Sequence, residues 1–284
     1  MPGEKVPAVE IIERINDGQD VYYESVEIVG DVDFTNVVSD GVLDEDTICI
    51  DVRVAFVDCL FSGKVVGYNE DSLLPHVQFG NDVTFAECTF AGTVDFSYVQ
   101  FSCTLDCENA RFAADVSFKE SAFVGRAWFE GAQFLGSGGV DFGLAQFLQQ
   151  ADFDGTRFAG NANFLAAGFS RDAGWKNARF LDHACFFGAR FYARAELSVA
   201  RFSKHADFDE AVFLGHAYFT EAQFSGTSGF GGTQFSQDVD FGCVTFAESP
   251  VFWDTDFGGD GHFAGVICKG QPFDPIGREV RRVC

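Results

Sequence analysis

Three kinds of chemically active side chain recur at regular intervals in this sequence. Arg157, Arg179 and Arg201 are 22 residues apart, and so are His183 and His205. Aspartate stands directly before an apolar residue at positions 95, 106, 141, 152, 207 and 240. Guanidinium groups bind anions through a planar fork of donors, imidazoles ligate metals, and paired carboxylates serve acid–base catalysis. Which of these functions is available depends on the elements that carry the side chains.

A large apolar residue recurs along the chain in steps that alternate between five and six residues. The series runs from Phe79 to Phe263 and has 34 positions, of which 31 are phenylalanine, the others being Cys107, Trp175 and Leu197. One step is longer, from residue 134 to residue 142, and marks a two-residue insertion. A regularity of this length indicates one small structural unit repeated along the chain.

A second regularity accompanies the first. A small or β-branched residue lies two positions before each large one, and between Ala145 and Ala222 it is alanine every time except at Thr156. Residues two apart point to the same side of an extended segment, so both members of each pair face an interior. In a helix the same pairs would spread around the whole circumference. The pattern therefore predicts short extended pieces separated by corners, which is a β-solenoid with stacked coils.

Segments such as ADFDE at 206–210 and ADFDG at 151–155 resemble the pentapeptide-repeat family, and the likeness covers roughly residues 30 to 265. The resemblance implies an all-β fold, a right-handed quadrilateral β-helix with four repeats per coil. Every second unit has six residues here, so a four-sided coil would contain 22 residues. Phe34, Phe56 and Phe79, separated by 22 and 23 residues, predict that the coils begin near residues 30–34.

The ends of the chain differ from the repeats. Apolar residues at 8, 11, 12 and 15, followed by Asp17 and Gly18, predict a short amphipathic helix that covers the open first coil. We expect an N-terminal cap at 1–30 with a short helix and strand, irregular first coils at 31–78, a regular β-helix at 79–265, and a C-terminal tail or cap at 266–284. The irregular region includes a predicted strand from Ile48 to Phe56 and a loop at 69–72. A closing segment is expected from Asp274.

Composition limits the function classes. A formal charge of −24 repels nucleic acid, so direct DNA binding is not expected. We expect a cytoplasmic protein without membrane contact, because no run of about 18 apolar residues and no signal-peptide pattern is present. Nine cysteines without a CxxC pair favour neither a disulfide framework nor a zinc site. The acidity fits either adaptation to high salt, with six lysines against thirteen arginines, or imitation of the DNA backbone.

The predicted interior is filled by phenylalanine, so we expect neither an enzyme nor a bound cofactor. Carboxylates on a convex rod lack the cleft and the raised pKa that glycosidase-type catalysis requires. His183 and His205 would be neighbours on successive four-sided coils, but no third ligand recurs at their spacing. Stacked histidines without a metal are therefore expected.

The basic residues are concentrated in one segment. Residues 157–204 hold eight basic and three acidic residues, whereas residues 1–78 hold four basic and seventeen acidic ones. In a four-sided coil Arg157, Arg179 and Arg201 form an outward column, in which like charges repel unless acids flank them or an anion binds. Salt bridges to neighbouring faces and a site for an anionic partner both remain open. The partner-binding hypothesis comprises Arg157, Arg179, Arg190 and Arg201, and it expects at least one column member to lack a carboxylate partner.

These observations predict a non-catalytic rod that acts as an interaction or scaffold module for a protein partner. The alternative is an acidic DNA mimic, similar to the gyrase-protecting members of the pentapeptide-repeat family, which are acidic rods that dimerise through a terminal module. The basic segment at 157–204 argues against a continuous DNA mimic. The sequence leaves the oligomeric state open.

Overall fold

The computed structural model describes residues 3–38, 47–68 and 76–273. Within them the chain forms a four-sided β-solenoid of about eleven turns, and each side is one sheet. We number the sides faces 1 to 4 in the order in which each regular coil visits them. Strands pair in parallel throughout these sheets, except where Ile267–Cys268 meets Gln271–Pro272 in antiparallel orientation at the C-terminal end. The predicted all-β solenoid is confirmed.

The four faces contain the following strands. Face 1 consists of Glu4–Pro7, Val26–Val29, Leu60–Phe61, Thr89–Phe90, Arg111–Phe112, Gln133–Phe134, Arg157–Phe158, Arg179–Phe180, Arg201–Phe202, Gln223–Phe224, Thr245–Phe246, Ile267–Cys268 and Gln271–Pro272. Face 2 consists of Val32–Asp33, Val65–Val66, Val94–Asp95, Val116–Ser117, Val140–Asp141, Ala162–Asn163, Ala184–Cys185, Ala206–Asp207 and Ser228–Gly229. Face 3 consists of Thr47–Ile50, His76–Phe79, Gln100–Phe101, Ala122–Phe123, Gln146–Phe147, Gly168–Phe169, Arg190–Phe191, Val212–Phe213, Gln234–Phe235 and Asp256–Phe257. Face 4 consists of Val21–Glu24, Val54–Val57, Val83–Thr84, Leu105–Asp106, Ala127–Trp128, Ala151–Asp152, Ala173–Gly174, Ala195–Glu196, Ala217–Tyr218, Val239–Asp240 and Gly261–His262.

Two kinds of corner explain the alternating steps along the chain. Corners that leave faces 2 and 4 are tight turns, in which the Ala167 N–H donates to the Phe164 carbonyl oxygen at 3.1 Å and Ala166 has a φ of 51°. Such a turn needs a positive φ at its third residue and gives the shorter of the two steps. Corners that leave faces 1 and 3 give the longer step. The regular coil length predicted from the sequence is confirmed, because Gln146 pairs with Gly168 and Gly168 with Arg190.

The interior is a stack of aromatic rings. Of the 34 repeat centres, 32 are buried, and the other two, Phe257 and Phe263, are partly buried near the C-terminal end. Rings in the same column lie face to face, as do Phe186 and Phe208, whose centroids are 4.8 Å apart. Burial of each such side chain contributes roughly 1.5–3 kcal/mol. Thr156, which replaces an alanine, donates its hydroxyl to the Phe129 carbonyl oxygen at 2.8 Å.

The predicted N-terminal helix is present as Ala8–Asn16. Its Ala8, Ile11 and Ile15 side chains are buried, and it packs against the first strands of faces 1, 2 and 4. Gly18, with a φ of 67°, follows its C-terminal end. The helix covers apolar surface and strand edges that would otherwise be exposed at the end of the solenoid.

The early coils contain more residues than we predicted from the spacing of the phenylalanines. Val21 pairs with Val54 and Val54 pairs with Val83, so each of these coils contains more residues than the regular coil from Gln146 to Gly168. The prediction of a first coil beginning near residue 30 is wrong, because Val21–Glu24 and Val26–Val29 already belong to faces 4 and 1.

The predicted register between Phe34 and Phe56 is also wrong. Phe34 directly follows the first strand of face 2, whereas Phe56 lies within the second strand of face 4. Their separation in sequence equals one regular coil by coincidence, because the chain between them does not follow the regular period.

The predicted strand from Ile48 to Phe56 is two strands. Thr47–Ile50 lies on face 3 and Val54–Val57 on face 4, with a corner at residues 51–53. The prediction is wrong because apolar alternation continues across a corner that turns the chain to a new face. The predicted loop at 69–72 and the closing segment from Asp274 lie outside the described residues.

Candidate partner-binding site

Arg157, Arg179 and Arg201 form one outward column on face 1. Arg157 pairs with Arg179 and Arg179 with Arg201 in parallel register, so neighbouring members are about 4.8 Å apart. All three side chains are exposed, because the following phenylalanine of each strand points inward. Among the described residues no carboxylate oxygen lies within 4.0 Å of their guanidinium nitrogens. We call these three residues the arginine column.

Acidic side chains on the two flanking corners are already engaged. Asp154 accepts a hydrogen bond from the backbone N–H of Lys176 at 2.7 Å. Asp182 accepts one from the backbone N–H of His183 at 2.9 Å. Both carboxylates therefore satisfy the solenoid's own backbone and do not pair with the arginine column.

The fourth residue of the predicted site does not join the column. Arg190 lies on face 3, across the solenoid from face 1, where it pairs with Gly168 and Val212. It follows Arg179 by half a coil, which moves it by two faces. The structure thus brings together three of the four predicted residues.

The two histidines are neighbours, as the coil length predicted. His183 and His205 are neighbours on successive coils with ring centroids 6.2 Å apart. His205 Nδ1 lies 2.8 Å from the Thr227 hydroxyl oxygen, and His183 lies 3.7 Å from Asp182. In the described part of the chain no group of three or more His, Cys, Asp or Glu side chains is placed to hold a metal ion.

Carboxylates line face 4 at every second coil. Its outward strand position is filled in order by Asp106, Trp128, Asp152, Gly174, Glu196, Tyr218, Asp240 and His262. The acids are therefore about 9.6 Å apart rather than about 4.8 Å. This alternation limits like-charge repulsion between coils.

Three carboxyls depart from the expected solvated behaviour, because burial raises the pKa values of Glu108, Asp154 and Asp207. Burial, with a contribution from Asp152, raises the pKa of Asp154 from 3.8 to about 6, while the Lys176 N–H opposes the shift. Asp154 lies in an open depression of about 440 Å³ at the corner between faces 4 and 1. The sequence predicted neither a depression nor a raised carboxyl pKa on the rod. Glu108, Glu130 and Lys176 also line this depression, and within it the Asp154 carboxylate is bound to the Lys176 backbone N–H.

Sequence reasoning missed a second surface, on face 3. Four exposed apolar residues follow the inward phenylalanines of this face, namely Val124, Leu148, Tyr192 and Leu214. Three more lie at the corner that enters it, namely Leu144, Leu165 and Phe187. We call these seven residues the apolar band. The signal in the sequence was an apolar residue directly after the centres at 123, 147, 191 and 213, with Ser170 after the centre between them.

The expectations about membrane spans and cysteines can be compared with the described residues. No helix in the ranges 3–38, 47–68 and 76–273 combines the length and the hydropathy needed to cross a bilayer. Of the eight cysteines described, Cys59, Cys88, Cys107 and Cys268 are buried and Cys243 is exposed. The remaining three are partly buried.

A family model supports the repeat assignment. A family model described as pentapeptide repeats (9 copies) matches residues 74–122, 186–234 and 199–245. No curated protein has significant sequence similarity to the chain. The chain is similar at 13% identity to the crystal structure of HetL, a pentapeptide repeat protein involved in heterocyst differentiation regulation from the cyanobacterium Nostoc sp. strain PCC 7120. That match covers 94% of this chain and 99% of HetL with a TM-score of 0.27.

Proposed function

This chain is a pentapeptide-repeat protein, and we propose that it acts as a non-catalytic interaction rod whose arginine column binds an acidic segment of a protein partner. The single observation that carries the proposal is the in-register stack of Arg157, Arg179 and Arg201 without a carboxylate partner in the described chain. The matching family model describes a repeat and names no enzymatic activity.

The repulsion within the arginine column favours an anionic ligand. Three arginines on strands about 4.8 Å apart bring like charges close together, and a carboxylate placed between two of them reduces the repulsion. Each guanidinium group offers several donors in a fixed plane, so neighbouring coils provide charge-assisted hydrogen bonds to one carboxylate. Among the described strands of face 1, this is also the one stretch in which three consecutive outward positions are basic.

The spacing of the column favours an acidic helix over an extended peptide. The three arginines span about 9.6 Å along the rod. Carboxylates at positions i, i+4 and i+7 of an α-helix span about 10.5 Å, whereas those at i, i+2 and i+4 of a strand span about 13 Å. A helix with one acidic stripe, lying along the rod axis, therefore matches the column most closely.

The rest of the solenoid supports a non-catalytic role. Its interior is filled by aromatic rings and alanines. Asp154, the carboxyl with a raised pKa beside the column, is held by a backbone N–H. What varies between coils is the outward side chains, and these are the groups that a partner would contact.

A direct binding experiment tests this proposal. The probe is a fluorescent helical peptide with glutamate at i, i+4 and i+7, and the comparison peptide has the same composition with scrambled order. Replacing Arg157, Arg179 and Arg201 by glutamine should weaken binding of the striped peptide by about 30-fold or more, because three charge-assisted contacts are lost. The matched control with the same change in net charge replaces Arg53, Arg126 and Arg171. Equal weakening by both triple variants, or equal binding of both peptides, would exclude the site.

The DNA-mimic alternative is tested separately by a gyrase supercoiling assay. The alternating acids of face 4 and the basic stretch of face 1 interrupt any continuous negative surface. We therefore expect no inhibition of gyrase. Inhibition that survives substitution of the arginine column would favour DNA mimicry over the proposal.

A further inference from the structure

Exposed apolar side chains are concentrated on one face of this acidic rod. Of the thirteen large apolar residues that are exposed in the described chain, seven form the apolar band. They lie on consecutive coils, and their exposed fractions range from 37% for Val124 to 51% for Tyr192. Rows of exposed apolar side chains along both corners of one face of a highly charged rod mark a surface that another molecule covers.

The centre of face 3 carries almost no charge. Its outward strand positions across the apolar band are Ala122, Gln146, Gly168, Arg190 and Val212. The first corner residues after these strands are the apolar or small side chains of Val124, Leu148, Ser170, Tyr192 and Leu214, and the charged residues of the same corners, Arg126, Arg171, Asp172 and Arg194, lie further towards face 4. Face 4, in comparison, presents an acid at every second coil. A second copy of a chain with a formal charge of −24 meets the least like-charge repulsion at face 3.

The chemistry of this face is nearly symmetric about the coil of Gly168. Gln146 lies one coil before Gly168 and Arg190 lies one coil after it, at the same strand position. Leu148 and Tyr192 are related in the same way at the following corner. Counting by two coils relates Ala122 to Val212 and Val124 to Leu214. In a two-fold interface each position meets its counterpart, so Leu148 would meet Tyr192, Val124 would meet Leu214, and Gln146 would meet Arg190.

We propose that the apolar band is the interface of an antiparallel homodimer, with the two-fold axis at the Gly168 coil. In this arrangement Leu148 of one copy packs on Tyr192 of the other, and Val124 packs on Leu214. Gly168 lies at the axis, where the absence of a side chain keeps the two faces flat. The arrangement does not involve the arginine column, which lies on face 1.

Among the outward strand positions Arg190 is the one charged residue and favours the antiparallel orientation, whereas Arg171, exposed at the corner beside Ser170, would face Arg171 of the second copy. With the rods parallel about a two-fold axis along their length, Arg190 would face Arg190 of the second copy. With the rods antiparallel, Arg190 faces Gln146, whose amide oxygen accepts a hydrogen bond. At each end of the interface Lys119 faces Asp209, but Glu120 faces Glu210, so the ends add little. The apolar centre provides the stabilisation, and moderate salt should strengthen the dimer.

Sedimentation velocity of the full chain tests the interface. We expect the parent to sediment as a dimer, and Leu148→Glu to weaken dimerisation by about 100-fold or more, because a charge is buried twice in each dimer. The matched control is Leu181→Glu, since Leu181 follows its phenylalanine on face 1 as Leu148 does on face 3. A monomeric parent, or equal effects of both substitutions, would overturn the proposal. Peptide binding to the arginine column should be the same in the parent and in Leu148→Glu.

Disulfide cross-linking tests the register independently. Ser170 lies at the axis, so Ser170→Cys should form a covalent dimer on mild oxidation. Ser236→Cys occupies the same position three coils away and should not cross-link with itself. In the antiparallel register position 236 faces position 102, so a mixture of Ser236→Cys with Ser102→Cys should cross-link. The parent protein provides the background from its own cysteines. Cross-linking through Ser236→Cys alone would contradict this register.

Discussion

Phe153 is stacked between two aromatic rings of face 4. Its centroid lies 5.0 Å from that of Phe129 with a 2° angle between the planes, and 5.2 Å from that of Trp175 with a 5° angle. It also meets Phe142 and Phe164 edge to face from the neighbouring side. One ring therefore connects three successive coils, and its environment shows how the solenoid is held together along its length.

Replacement of Phe153 should unfold the central coils. Phe153→Ala should lower the free energy of unfolding by about 3–5 kcal/mol, and Phe153→Asp should do more damage because it buries an unpaired charge. Thermal melting followed by circular dichroism is the measurement, with Gln223→Asp on the exposed side of face 1 as the control. A parent-like melting curve for Phe153→Asp would contradict the interior placement.

Val199 should be replaceable by glycine with a gain in stability. Its φ is 61°, which is unfavourable for a β-branched residue, and glycine occupies the same turn position at Gly155 and Gly188. We expect Val199→Gly to raise the free energy of unfolding by up to about 1 kcal/mol. Thr245→Gly, in an extended strand, should lower it by about 0.5–1 kcal/mol. Chemical denaturation of both variants checks the pair, and a loss of stability in both would refute the turn assignment.

Asp154 should make stability fall as the pH rises. Its pKa is raised from 3.8 to about 6 in the folded protein, so the folded state binds the proton more tightly than the unfolded chain between these values. The stabilisation is complete below about pH 4 and is lost through about pH 6. Asp154→Asn keeps an oxygen acceptor for the Lys176 N–H and should flatten this part of the profile.

At neutral pH Asp154→Asn should be more stable than the parent by about 1 kcal/mol or less, because the carboxyl is half-exposed and solvent screens it. Melting temperatures at a series of pH values give the comparison. Asp238→Asn serves as the control, because this exposed carboxylate also accepts a backbone N–H, from Asp260. Parallel profiles for the parent and Asp154→Asn would show that Asp154 is an ordinary carboxylate.

Salt should stabilise the protein if its acidity is an adaptation to high ionic strength. A formal charge of −24 repels itself in dilute buffer, and the Debye length falls from about 30 Å at 0.01 M to about 3 Å at 1 M salt. We expect the melting temperature to rise by several degrees over this range in potassium chloride. Equal melting temperatures at both concentrations would refute the adaptation.

The core was predictable from the sequence because the residue types within each repeat show which side chains point inward. The alternating steps, with alanine two positions before phenylalanine, identified the inward centres and the regular coil length, as the pairing of Gln146 with Gly168 shows. They also placed Arg157, Arg179 and Arg201 in one column. Constant spacing is sufficient here, because stacking of identical coils converts sequence distance directly into spatial distance.

The same reasoning failed where the coil length changes. Phe34 and Phe56 are separated by one regular coil length in sequence but lie on different faces, since the early coils are longer than the regular ones. When the coil length is not constant, the sequence separation of two phenylalanines does not show which residues between them form corners and which form strands. The strand predicted from Ile48 to Phe56 failed for the same reason, because its corner leaves the apolar alternation intact.

The sequence by itself determined the solenoid, its filled interior and the arginine column, because burial of a repeated large side chain depends only on local spacing. The tertiary structure alone decided which surfaces lie side by side. It separated Arg190 from the arginine column by half a turn and gathered Leu148, Tyr192 and Leu214 on that same face. These residues meet because the two kinds of corner distribute outward positions over four faces. Outward residues carry no burial signal in the sequence, so neighbours that are not one regular coil length apart, such as the apolar residues at the two corners of face 3, became visible only once the coils were stacked.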